Sequence, residues 1–97
     1  MTAEPVEIVW SPLAQARLRE IRAYVARDKP AAAERLAMRI VAVAEALREH
    51  PYLGHSGTGP GIRELIVGGT PYVVSYRVRG KRITIHTIWH GAQQKKR

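Results

Sequence analysis

The second half of this chain carries side chains suited to proton transfer and phosphate chemistry. Arg63 lies in the run Ile62–Val67, and Tyr76, Arg77 and Arg79 lie in the run Tyr72–Arg79. Lys81 and Arg82 follow across a Gly80-Lys81 turn, and His86 and His90 belong to the run after it. An imidazole beside guanidinium groups can give or take a proton near neutral pH. Cleavage of RNA through its own 2′-hydroxyl needs such a base, an acid for the leaving group and cations facing the phosphorane. His90, Arg63 and Arg77 are residue types that could supply parts of that set. His86 and His90 share a face if the last run stays regular to its end. Each residue also has a plainer reading. A charged hairpin keeps a sheet edge soluble, a strand-end histidine bonds to backbone, and Trp89 serves a small core as well as a stacking platform.

These residues must be positioned by a fold, and the periodicity gives one. Val6–Trp10 alternates and is rich in β-branched and aromatic residues, as a strand requires. Ser11-Pro12 is a helix start, a capping hydroxyl followed by proline in the first turn. Ala14, Leu18, Ile21 and Val25 then form one helical stripe, and Leu36, Ile40, Val43 and Leu47 a second. Asp28-Lys29-Pro30 divides the two, too short a link for anything but an antiparallel αα-hairpin. Residues 51–61, PYLGHSGTGPG, read as a loop. Gly57–Gly61 resembles a phosphate loop in composition only, because it lacks the lysine and hydroxyl that follow such loops. Three strands are expected next, Ile62–Val67, Tyr72–Arg79 and Arg82–Trp89. The first pair is parted by Gly68-Gly69-Thr70-Pro71 and the second by a glycine-first two-residue turn. The order β-α-α-β-β-β predicts an α+β domain, with the helix pair on one face of a C-terminal antiparallel sheet. In its middle strand Tyr72, Val74, Tyr76 and Val78 should face the core, and Val73, Ser75, Arg77 and Arg79 the other side.

Composition narrows the function classes. The 97 residues carry a formal charge of +8 and no cysteine, which removes disulfides, thiolate metal sites and cysteine nucleophiles. The four histidines show no metal-ligand spacing, so no metal is expected. With no signal-peptide pattern and no apolar run near the ~20 residues of a bilayer span, a cytoplasmic location is the simplest reading and a membrane partner is not expected. Residues 1–50 hold eight basic and seven acidic side chains, whereas residues 51–97 hold eight basic and a single acidic one, Glu64. That asymmetry predicts an acidic partner, nucleic acid or protein.

Several segments together resemble one family. Gly61-Ile62-Arg63-Glu64-Leu65, Thr70-Pro71-Tyr72-Val73-Val74-Ser75-Tyr76-Arg77-Val78, Ile83–Ile88 and His90-Gly91-Ala92 look like the RelE/ParE superfamily of bacterial toxins. Val9-Trp10-Ser11-Pro12 and the helix pair behind it fit the family's start, so the resemblance runs from about Val6 to Gln94. The length is that of a single domain, residues 1–97, with 93–97 read as a flexible tail; the resemblance makes it a toxin domain, and no cofactor is expected. The toxin would belong to a type II toxin–antitoxin pair and form a hetero-oligomer with a cognate, ParD-like antitoxin. That antitoxin's acidic or amphipathic segment would fold across the helix pair and the basic sheet, with Arg17, Leu18, Ile21, Tyr24 and Arg77 as the contact candidates. RelE-like members cleave mRNA in the ribosomal A site, whereas ParE-like members poison DNA gyrase. Aligned on Tyr76, two arginine positions of the RelE-like site fall near Gly68-Gly69 and Gln93, neither of them basic. The pattern therefore looks closer to the ParE branch, with Arg77, Arg79, Lys81, Arg82 and His90 as target-binding candidates. Ribosome-dependent cleavage is the alternative, with Arg63, Tyr76, Arg77 and His90 as candidate catalytic residues. A non-toxic nucleic-acid-binding domain is a further one.

Overall fold

The structure, a computed structural model, describes residues 5–94. Its elements are β1 (Glu7–Trp10), α1 (Pro12–Ala26), α2 (Pro30–Ala46), β2 (His55–Ser56), β3 (Ile62–Ile66), β4 (Tyr72–Arg79), β5 (Arg82–His90) and α3 (Gly91–Gln94). The helix pair, the glycine-first turn and the α+β class follow the sequence. Gly80 has the positive φ, +58°, that its place at the turn demands. The C-terminal antiparallel sheet expected of the last three strands is present, and the N-terminal strand joins it. The sheet has five strands in the order β1-β5-β4-β3-β2, and β1 runs parallel to β5. The αα-hairpin carries the chain over one sheet face, and the later strands then build back until β5 lies beside β1. The loop 51–61 also contributes β2, whose two residues pair with Glu64 and Arg63 of β3. Short helix α3 takes in Gln93 and Gln94, the first positions of the expected tail. Residues 95–97 lie outside the described ones.

The core fills the space between the helix pair and the sheet. Ala14 from α1, Ile40 and Ala44 from α2, and Leu47 just past its end meet Val67, Val74, Tyr76, Ile83, Ile85 and Ile88, all fully buried. Leu18, Ile21, Leu36 and Val43 pack around them, as the two helical stripes require. Burying a side chain of the size of Ile40 or Ile85 contributes roughly 1.5–3 kcal/mol. Ser11 ties helix to sheet: its Oγ accepts from Ala14 N–H at 2.9 Å and donates to the His86 carbonyl at 2.7 Å. No helix among the described residues is long and apolar enough to cross a membrane.

A β-bulge in β5 sets which residues share a face. Ser75 pairs with Thr87 and Tyr76 with Ile85, leaving His86 as the extra residue. Ile83 and Ile85 precede it on the helix side, and Ile88 resumes that side after it. Alternation in β4 holds for direction but not for exposure. Val73 and Ser75 on the open face are each only 7% exposed, like Glu64 at 9% across from Ser75.

Candidate functional site

Arg63 and Tyr76 pair across β3 and β4, and both turn toward the segment before β2. The Tyr76 side chain is fully buried. Its hydroxyl donates to Pro51 O at 2.9 Å and accepts from Gly54 N–H at 2.9 Å. The Arg63 guanidinium donates twice to Gly54 O, at 2.8 and 3.1 Å, and once to Tyr52 O at 3.3 Å. It also lies over the Tyr52 ring at 5.1 Å. These two candidates thus spend their polar atoms fixing residues 51–54. A Cβ on Gly54 would fall 2.6 Å from Glu64 O and 2.9 Å from the Tyr76 hydroxyl oxygen, which explains glycine there without any appeal to φ.

Arg77 occupies the open face of the sheet. It donates to Pro60 O at 3.0 Å, while its Nε and the Nε2 of His86 lie buried with no hydrogen-bond partner. Burial first, and the Arg77 charge second, hold the His86 imidazole below its ordinary 6.5. Arg77 and His86 are therefore a cation and a neutral imidazole on one face. Arg79 and Arg82 face each other beside Gly80 and Lys81, and Arg82 is held by Glu7 at 3.0 Å.

His90 lies elsewhere. The bulge turns it away from His86 to the helix side, where it pairs with Tyr72, their rings edge-on at 5.4 Å. Its Nδ1 accepts from Ala92 N–H at 3.2 Å, so the backbone contact anticipated for a strand-end histidine is present. Together with Arg17, Glu20, Ile21 and Tyr24 of α1 they line a groove of about 780 Å³ along the flank of that helix. Tyr24 is 68% exposed, and burial, then neighbouring Tyr24, push the Tyr72 phenol above its ordinary 10.0. Leu18 opens instead onto a second groove of about 470 Å³ between α1 and α2, beside Met38 and Val41.

The four residues considered for RNA cleavage are thus not brought together. Arg63 and Tyr76 clamp a loop, Arg77 is on the open face, and His90 is across the sheet on the α1 flank. Arg17, Ile21 and Tyr24 do converge, in one groove. Sequence reasoning grouped His86 with His90; the bulge separates them, and His86 stays beside Arg77 on the open face. Among the described residues no three histidine or acidic side chains gather to hold a metal.

The family described as the ParE toxin of type II toxin–antitoxin system, parDE, matches residues 8–95. Toxin Y4kP of Sinorhizobium fredii is 39% identical over 87 residues, covering 90% of each chain. Toxin RelE2 of Caulobacter vibrioides is 38% identical over 87 residues, 90% of this chain and 97% of that one. Among solved structures, the chromosomal ParDE system from P. aeruginosa superposes with a TM-score of 0.82 at 25% identity, over 91% of this chain and 98% of that one.

Proposed function

From the premise that this chain belongs to the ParE toxin family, and so is a type II toxin of the RelE/ParE superfamily, we propose that it arrests growth by inhibiting DNA gyrase. The observation that carries this reading is the dispersal of Arg63, Tyr76, Arg77 and His90. Tyr76 and Arg63 are occupied by backbone partners, and His90 faces away from Arg77. A protein that acts by binding needs surface rather than a converging acid, base and cation, and surface is what the fold supplies. The basic half, with Arg77, Arg79, Lys81 and Arg82, faces the target, and a cytoplasmic setting follows from such a target. An antitoxin of ParD type holds the toxin inactive. Its apolar and acidic side chains enter the α1-flank groove over Arg17, Ile21 and Tyr24 and continue past Leu18.

One observation favours a second reading. His86 beside Arg77 supplies a neutral imidazole and a cation on the open face, parts of a ribosome-dependent nuclease. Inducible expression in bacteria separates the two. An early DNA-damage response with translation continuing supports gyrase as the target. Immediate translation arrest with cut mRNA supports the ribosome. Harmless accumulation of the protein would refute both and leave a non-toxic nucleic-acid-binding domain.

A further inference from the structure

The sheet ends in two edge strands that are managed differently. At one edge β2 is only two residues long. At the other lies β1, within Val6-Glu7-Ile8-Val9-Trp10, a run of β-branched and aromatic residues with a single charge. An edge strand of that composition is a template for another strand wherever its outward N–H and C=O groups are free.

The backbone bonds show which groups face outward. Glu7 N–H donates to Lys81 O at 2.8 Å and Ser11 N–H to Ile85 O at 3.0 Å. Residues 7, 9 and 11 therefore turn their backbone groups toward β5, and residues 6, 8 and 10 turn theirs away from the sheet. Two of those three outward carbonyls are already taken. The Arg48 guanidinium, just past the end of α2, donates to Val6 O. The Gln15 amide of α1 donates to Trp10 O at 3.0 Å. Arg48 is in turn held by Glu45 at 2.6 Å. The two donors thus come from different helices and meet β1 at its two ends, with Ile8 between them. Both are exposed side chains, so neither contact is a by-product of core packing.

We propose that Arg48 and Gln15 guard the β1 edge, and that the surface they close is one on which a second copy of this chain would pair β1 with β1. The occupant follows from the edge itself. Set antiparallel about Ile8, Val6 of one copy falls opposite Trp10 of the other, and Ile8 opposite Ile8, so every outward N–H meets an outward carbonyl. Such a pairing forms two bonds at Ile8 and two at each Val6–Trp10 pair. All the bonds outside Ile8 need a carbonyl that Arg48 or Gln15 holds. The guards leave too little of the ladder for the copies to join, and the free chain stays monomeric.

The test is sedimentation velocity of the purified chain, wild type against the double variant Gln15→Ala/Arg48→Ala, with melting temperature as the folding control. The wild type should sediment as a monomer, and the folded double variant should self-associate at least about tenfold more tightly. In the associated form the Ile8 N–H should gain protection from hydrogen exchange. Gln15→Ala alone, at an exposed helical position that suits alanine, should show part of the effect even if the double variant folds poorly. Arg35→Ala removes the same charge from an exposed residue near the start of α2, at its far end from Arg48, and should behave as wild type. A folded double variant that remains monomeric at every concentration would overturn the proposal. Association without protection at Ile8 would overturn the choice of β1, and equal association of Arg35→Ala would reduce the effect to net charge. A wild-type chain that already pairs through a protected Ile8 would overturn the guarding role.

Discussion

Tyr76→Phe separates a structural from a chemical role for the most deeply buried of the candidate residues. The substitution removes one oxygen from a fully buried ring. Two hydrogen bonds go with it, the one to Pro51 O and the one from Gly54 N–H, each 2.9 Å. Gly54 is itself buried, so its N–H is left without an acceptor and without water. Each bond contributes about 1 kcal/mol net, and the stranded donor raises the total to roughly 2–3 kcal/mol. For a domain of this size that lowers the melting temperature by roughly 8–24 °C. Thermal unfolding followed by circular dichroism reads the shift, and amide exchange should show protection at Gly54 falling more than at core amides. Well below the midpoint, the variant should stay toxic. Melting within about 2 °C of wild type would refute the clamp. Toxicity abolished at unchanged stability would instead make the hydroxyl a chemical participant.

Other perturbations test the remaining elements. Gly54→Ala should melt well below wild type, since its Cβ would meet backbone at 2.6 Å, while Gly68→Ala should be nearly neutral because nothing lies within 4 Å. His86 is held below its ordinary pKa of 6.5, so the unfolded chain binds its proton more readily than the folded one. Its contribution is therefore present in full above 6.5 and lost as pH falls through the lower folded value, and His86→Gln should flatten that part of a denaturant-midpoint profile. Ile21→Asp should weaken antitoxin binding, read by calorimetry, and leave toxicity intact. His90→Ala should also remain toxic, since the imidazole faces the α1 flank rather than the basic open face; a loss of toxicity in a folded His90→Ala protein would make His90 part of the target contact.

Much of the fold was legible because its signals are local. β4 begins and ends where the sequence reading set it, between Pro71 and Gly80. Ser11-Pro12 caps and opens α1 as its residue types dictate. What the sequence hid is non-local. Strand direction leaves no periodicity, so the parallel seat of β1 beside β5 could not be read from Val6–Trp10. The bulge is a mismatch between two strands rather than a pattern within one, and it alone separates His86 from His90. Tyr76 and Arg63 looked like chemistry because their types fit it, but their partners are the backbone of residues 51–54, in a segment with no regular pattern to betray it. Arg17, Ile21 and Tyr24 were readable as one surface because helical spacing alone places them on one flank of α1.

The central claim is that this toxin acts by binding gyrase rather than by cutting RNA. The most direct measurement titrates the purified, antitoxin-free protein into a supercoiling reaction with bacterial DNA gyrase, beside a matched assay of mRNA on translating ribosomes. The expected result is a concentration-dependent loss of supercoiling with the mRNA left whole. Supercoiling untouched across the range, with mRNA cut in the ribosome, would contradict it.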